Sequence, residues 1–320
     1  MNNVASVCPR KSVIALALLA ATGVSWAQST GLAVNSRGFA EEGQVHVLWR
    51  VDLGTGTSER IGQTAFLDVE GLALSPAGTL YGADDESKTL LTINTASGFS
   101  SPVGGTTSNM GVPLAQPMDF GMTFTCDGTL LVSSDVERSL FSASLKTGRL
   151  TRIGEAGSLG APITGIAAFG DEIYGIGQGI TGTDGNFSTD APNLYRIDPE
   201  TAAATRIGSL GPAVLPYANA GLAFDEQGRL WALTDRRENG VPDIASEVLH
   251  IDLDTGLATK TADADLVGFE SLAISAPAGC DGRGGTLDEA EPIPATSRLG
   301  QALLVLALLA LAGFTITRRA

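Results

Sequence analysis

The sequence predicts an all-β fold, a β-propeller most simply built from five four-stranded blades, and three observations carry that reading. A strand unit recurs about every fifty residues, the same turn chemistry recurs inside it, and the 3.6-residue periodicity of helical solenoids is missing. Each unit is marked by a small residue leading an apolar strand: Gly71-Leu72-Ala73-Leu74, Gly121-Met122-Thr123-Phe124, Gly165-Ile166-Ala167-Ala168, Gly221-Leu222-Ala223-Phe224 and Ser271-Leu272-Ala273-Ile274. From first to last, four steps cover 200 residues.

A tight turn usually follows, such as Pro76-Ala77-Gly78, Cys126-Asp127-Gly128 or Glu226-Gln227-Gly228, and then a second strand at Leu80-Tyr81, Leu130-Leu131, Ile173-Tyr174 and Leu230-Trp231. The third strand alternates apolar and polar residues in most copies, as in Leu48-Trp49-Arg50-Val51-Asp52, Leu194-Tyr195-Arg196-Ile197-Asp198 and Val248-Leu249-His250-Ile251-Asp252. It ends in a turn led by Asp, Asn or Ser and commonly closed by Thr-Gly, because the leading side chain bonds the backbone ahead and glycine accepts the positive φ of the reversal. A fourth strand is clearest at Arg60-Ile61-Gly62, Arg152-Ile153-Gly154 and Arg206-Ile207-Gly208. The first copy, starting near Gly31, lacks an inner strand, while Ser271 to Ile274 is an inner strand with no blade after it. The simplest solution docks the last strand into the first blade, which closes the ring and removes exposed edges. Six blades with an irregular extra unit is the alternative.

Strand order assigns the connections to faces. Turns between strands one and two, and three and four, share a lower face. The remaining connections share an upper face and include the long segments 105–117, 177–193, 209–219 and 236–246. Carboxylates gather on that upper face. Glu70 and Glu270 directly precede inner strands, Asp119 lies two residues before another, and Asp85, Asp135 and Asp235 share one aligned position, with Gln178 in the fourth copy. Oxygen ligands around the axis suit Ca²⁺ or another hard divalent ion, and Glu70, Asp119, Glu270 and Asp235 are the candidate ligands. The competing expectation is that the aspartates cap turns and the glutamates meet solvent or arginines. Asp184 to Asp190 is faintly calcium-like but lacks the ligand spacing of an EF-hand loop.

The ends of the chain read differently from its body. Arg10 and Lys11, an apolar stretch from Ser12 to about Gly23, and Ser25-Trp26-Ala27 make residues 1–27 a secretory signal with cleavage by signal peptidase after Ala27. Residues 28–275 form the propeller, 276–292 a Gly-rich and then acidic tether, and 293–320 a terminal unit. Within that unit, residues 299–317 carry no charge and reach about 28 Å as a helix, enough for the hydrocarbon core. Arg318 and Arg319 then stop the span on the cytoplasmic side of the inner membrane, leaving the body outside.

The chain carries a net charge of −15, and the exported body −20 once Arg10, Lys11, Arg298, Arg318 and Arg319 are set aside. Such acidity disfavours nucleic acid as a partner. Cys126 and Cys280 survive signal removal and can form a disulfide, which two cysteines alone do not establish. His250 sits at a repeat position otherwise held by Arg50, Thr92, Ser142 and Arg196, which makes it structural. No nucleophile elbow, phosphate loop or zinc-protease helix motif appears.

The terminal unit resembles the IPTL-type C-terminal sorting domain of Gram-negative bacteria, related to exosortase signals. Ile293, Pro294, Ser297 and Gly300 match its pattern, while Ala295, Thr296 and Leu299 depart from it. The resemblance implies an exosortase-like processing enzyme as partner and a final location in the cell envelope or at the cell surface. The body resembles bacterial propeller repeats with a Leu-Tyr-x-Ile-Asp-x-x-Thr-Gly core. Glu70-Gly71 with Leu80-Tyr81, and Asp225 to Trp231, are also similar to segments of gluconolactonase and SMP-type propellers. Those have six blades and hold an axial metal through Glu, Asn and Asp. Glu70 carries over, with Asp235 as the acidic ligand, and the Asn-containing segment has no counterpart. Two functions therefore compete: a non-catalytic surface module, requiring no cofactor, that binds or scaffolds an envelope protein, glycan or small molecule, and a metal-dependent hydrolase.

Overall fold

The computed structural model describes residues 29–35, 45–114, 116–179, 192–236 and 244–280. The expected signal and cleavage site at Ala27, the Asp184–Asp190 segment, and the sorting tail with its 299–317 span lie outside these residues. Among the described residues no helix is long and apolar enough to cross a membrane.

Five antiparallel sheets form a five-bladed β-propeller. Blade 1 holds β1 (Thr30–Asn35), β2 (Val47–Asp52) and β3 (Ser58–Gln63). Blade 2 holds β4 (Val69–Leu74), β5 (Leu80–Asp84), β6 (Thr89–Ile93) and β7 (Ser100–Pro102). Blade 3 holds β8 (Phe120–Phe124), β9 (Leu130–Ser134), β10 (Ser139–Ala143) and β11 (Leu150–Ile153). Blade 4 holds β12 (Ile163–Phe169), β13 (Glu172–Gly177), β14 (Asn193–Ile197) and β15 (Ala204–Ser209). Blade 5 holds β16 (Tyr217–Phe224), β17 (Leu230–Arg236), β18 (Ala245–Ile251) and β19 (Ala258–Val267).

The ring closes as the repeat count requires. The segment after β19 supplies the missing inner strand of blade 1: Leu32 N donates to Ala273 O at 2.7 Å, Ala273 N donates to Leu32 O at 2.8 Å, and Asn35 bridges Phe269. The core follows the same plan. Five buried clusters each fill the gap between two neighbouring blades. The one that joins the first and last blades packs Trp49 and Ala33 of blade 1 against Trp231 and Leu233 of blade 5, with Phe269 and Leu272 between. Burial between blades, rather than within one sheet, therefore holds the circle together.

The small residue that marks each repeat has a geometric cause. A Cβ on Gly121 would stand 2.7 Å from Ile166 N, one on Gly165 2.5 Å from Ala220 O, and one on Gly221 2.2 Å from Leu272 N. Five inner strands converge so tightly that only a glycine lets the next backbone approach. At the closing strand the place belongs to Ser271, whose hydroxyl accepts Val34 N at 3.0 Å.

The polar turns also behave as their chemistry demands. Asp52 Oδ1 accepts the amides of Gly54 and Thr55 at 2.9 Å each, and Asp198 Oδ1 accepts those of Glu200 and Thr201 at the same distances. Asp225, within the segment similar to lactonase propellers, has a structural job. It accepts Arg229 Nε at 2.7 Å, Trp231 Nε1 at 2.9 Å and Ser29 Oγ at 3.0 Å, tying the start of the propeller to blade 5.

The chain does not leave the ring at Ala276, where the tether was expected to begin. Ser275 Oγ donates to Phe224 O at 3.2 Å, Gly170 N donates to Ala278 O at 2.8 Å, and Cys280 is disulfide-bonded to Cys126 with a Cα separation of 5.4 Å. Phe224, Gly170 and Cys126 belong to the lower ends of blades 5, 4 and 3. Residues 275–280 thus cross the lower mouth of the channel and are fastened on its far side.

Candidate metal centre

The upper mouth collects the predicted carboxylates. β4 carries a register shift between Val69 and Gly71, so Glu70 is the extra residue of a β-bulge. The closing segment has a matching irregularity: Leu32 faces Ala273 but Asn35 faces Phe269, one residue out of step across Glu270. Both glutamates are buried. One oxygen each of Asp68, Glu70 and Glu270 lies within 4.8 Å of the others. Ligand oxygens at about 2.3–2.6 Å from a calcium ion stand up to about 5 Å apart, so this spacing fits a hard divalent cation.

Of the four predicted ligands, Glu70 and Glu270 enter this triad and Asp119 and Asp235 do not. Asp119 flanks it: its carboxyl is in hydrogen-bonding contact with that of Glu70 and also feels Asp235. The residue that sequence reasoning missed is Asp68. It stands two positions before Glu70, the spacing that places two side chains on one side of an extended chain.

Two of the aligned aspartates, Asp85 and Asp135, are neither ligands nor turn caps. Asp135 Oδ1 accepts Asp119 N at 2.8 Å, and Asp85 Oδ1 accepts Met118 N at 3.0 Å. Asp85 is also ion-paired with Lys88, which is 1% exposed and lies 5.7 Å from the centroid of the Phe120 ring. These two carboxylates fix the entry to the third inner strand and form no part of the triad. The expectation of turn-capping aspartates does not hold at these two positions: both side chains reach the segment leading into β8, and the turn after β5 is capped by Asp84, whose Oδ2 accepts Ser87 N at 2.8 Å.

Electrostatics follows from burial. Desolvation first, then the carboxylates of Asp119, Glu270, Asp68 and Asp85, push the Glu70 carboxyl well above the ordinary carboxylate range. Asp119 keeps some exposed surface, yet desolvation followed by Asp135 raises its carboxyl as well, against the opposing hydrogen bond from Glu70. Desolvation raises Asp135 too. Without a cation the mouth is a place where negative charge is expensive and protons are retained.

Below the triad, Glu70 and Thr164 line a cavity of about 10 Å³, the room of a single water. Thr164 is fully buried, and its Oγ1 has no hydrogen-bond partner. Thr164 directly precedes Gly165 as Glu70 precedes Gly71, and β12 shifts register at the same place. A buried hydroxyl without a partner beside crowded carboxylates is a further oxygen donor for a bound cation or its water.

No protein-family model matches the chain, and no curated protein matches it. Among solved structures it is similar to virginiamycin B lyase from Staphylococcus aureus, solved in a catalytically inactive form with quinupristin (13% identity, TM-score 0.38, covering 73% of this chain and 70% of that one). It is also similar to a gluconolactonase from Xanthomonas campestris (13% identity, TM-score 0.41, covering 77% and 85%) and to a protein of unknown function from Bacteroides thetaiotaomicron (12% identity, TM-score 0.40, covering 58% and 50%). At these identities the likeness carries neither activity nor ligand to this chain.

Proposed function

We propose that the chain is an exported, envelope-held five-bladed propeller that acts as a non-catalytic binding module, with a divalent cation at the upper mouth of its channel. The observation that carries the cation reading is the convergence of Asp68, Glu70 and Glu270 within 4.8 Å at a buried place. Glu70 and Glu270 come from opposite ends of the sequence and meet through ring closure, so a cation there would also cross-brace the closing strand. Export rests on the signal ending at Ala27, and attachment rests on the 299–317 span with Arg318 and Arg319.

The test is titration of the purified full-length chain with Ca²⁺, Mn²⁺ and the luminescent probe Tb³⁺, read by calorimetry and by thermal melting with and without a chelator. One bound ion per chain, lost in Glu70→Gln and Glu270→Gln, is the expected result. The absence of any saturable binding would remove the cation from this reading.

A second reading, a metal-dependent hydrolase, is favoured by the place of Glu70 in the triad. A cation bound there supplies polarisation of a carbonyl or phosphoryl oxygen. The carboxyl of Asp119, with its raised proton affinity, stands next to Glu70 as a proton donor. A lactone and phosphoester screen of the metal-loaded chain decides between the readings, and turnover abolished by Asp119→Asn would favour the hydrolase.

A further inference from the structure

We infer that the cleft between blades 3 and 4 is a second binding site, for a saccharide bearing a carboxylate, with Arg138 and Arg206 as its anion-binding pair. The inference deepens the binding-module reading and is independent of the axial cation, because no residue is shared. The cleft encloses about 360 Å³ and is lined by Arg138, Leu159, Pro162, Gln178, Tyr195 and Arg206 among others. That volume falls in the range of small-molecule sites.

The charge pattern singles it out. On this strongly acidic chain Arg50, Arg152, Arg196 and Arg229 each hold a carboxylate, respectively Glu59, Glu137, Glu172 and Asp225. Arg60, Arg138, Arg149 and Arg206 are exposed and have no carboxylate partner among the described residues, and of these Arg138 and Arg206 line one cleft. Arg138 repeats the place of Lys88, and both adopt left-handed backbone, with φ of 46° and 49°, directly before the third strand of their blades. Lys88 is buried and neutralised by Asp85. Arg138 is outside, and its carbonyl accepts Leu159 N at 3.0 Å, which fixes it to the cleft wall.

Arg206 is oriented rather than neutralised. Its Nε donates to Asn193 Oδ1 at 2.7 Å, and Asn193 Nδ2 donates to the Tyr195 hydroxyl at 3.4 Å. Holding Nε leaves both terminal nitrogens of the guanidinium for the paired geometry in which it grips a carboxylate. The partly exposed Tyr195 ring with Pro162 gives an apolar surface for a sugar ring, and the Gln178 amide can meet hydroxyls. Net repulsion from the acidic chain disfavours polyphosphates and nucleic acid, while one carboxylate on an otherwise neutral, hydroxyl-rich ligand suits two arginines.

The experiment is calorimetry and saturation-transfer NMR on the full-length chain, with a chelator present so that the axial cation plays no part. The probes are glucuronate, a neutral oligosaccharide bearing a single glucuronate and, as the neutral control, glucose. Saturable binding of the carboxylated sugars but not glucose is expected, weakened at least tenfold by Arg138→Gln and by Arg206→Gln. Melting temperature should be unchanged in both, and Arg60→Gln, at an exposed arginine elsewhere, should bind as the parent does. A preference for the oligomer over the monomer would mark an envelope polymer as the source, and equal affinity a free acid sugar. Binding of glucose as tight as of glucuronate, no binding of either carboxylated probe at millimolar concentration, or binding indifferent to both arginine variants would each overturn the inference.

Discussion

The two mouths of the channel are built from the same five strands and do opposite things. The lower one is apolar and closed. Phe169 and Phe224 lie 5.2 Å apart between ring centroids, residues 275–278 run past them, and a cavity of only about 30 Å³ remains. The Cys126–Cys280 bond fastens the crossing segment. The upper mouth brings Asp68, Glu70 and Glu270 together, with Asp119 alongside, in a setting that raises the proton affinity of Glu70 and Asp119. Stability is gained at one end and given up at the other. A ring latched at its lower end tolerates such a cluster at its upper end, and sites that cost stability are where function is expected.

The strongest way to break the comparison is to attack closure itself. Gly221→Val places a Cβ 2.2 Å from Leu272 N, against backbone that cannot yield. The expected outcome is no folded ring, seen as loss of a cooperative melt and rapid proteolysis. Next comes the lower latch. Cys126→Ser or Cys280→Ser releases a link spanning 154 residues and should cost about 2–5 kcal/mol, measured by denaturant unfolding under oxidising conditions. The parent should lose a similar amount in reductant, and the variants nothing.

The upper mouth should respond in the opposite sense. Glu70→Gln is expected to stabilise the cation-free chain at pH 8, because burial and the neighbouring carboxylates make a charged carboxyl costly there. The same change should abolish stabilisation by Ca²⁺. The sign with pH follows from linkage. The folded-state proton affinities of Glu70 and Asp119 exceed the ordinary values of 4.5 and 3.8, so the folded chain holds more protons than the unfolded one above that range. Their contribution to stability is therefore fully present below about pH 4 and is lost as pH rises through the folded values. The parent minus Glu70→Gln difference in melting temperature should grow more negative from pH 4 to pH 8, and added Ca²⁺ should reverse that trend. The smallest effect is expected in the blade 3–4 cleft, where Arg138→Gln and Arg206→Gln should change stability by less than about 0.5 kcal/mol.

Sequence reasoning reached the propeller because its signals are local. Alternation, the Asp52-to-Gly56 type of turn and the glycines of the inner strands each arise within a few residues of the chain. It also reached the closing strand, since a first blade short of one strand and a last strand short of a blade complement one another. Glu70 and Glu270 were legible from their place before inner strands. Asp68 was not, because it precedes β4 and its role depends on the bulge that sets Glu70. Thr164 and Arg138 were silent for a similar reason: a threonine before a strand and an arginine in a turn look ordinary until the cavity or the cleft beside them is known.

By itself, then, the sequence determined the repeat, the order of strands around the axis and the face on which acidic residues gather, since these follow from periodicity and turn geometry along the chain, and the five sheets of the structure settled the choice between five blades and six. Only the tertiary structure decided which carboxylates meet, that Asp85 is held by Lys88 and Met118 N while Glu70 accepts Phe120 N and faces Asp68 and Glu270, and that residues 275–280 cross the lower mouth to Cys126. The physical reason is that contact between blades is set by the curvature of a closed ring, where one bulge or one missing Cβ moves a side chain by ångströms. No local pattern records that displacement.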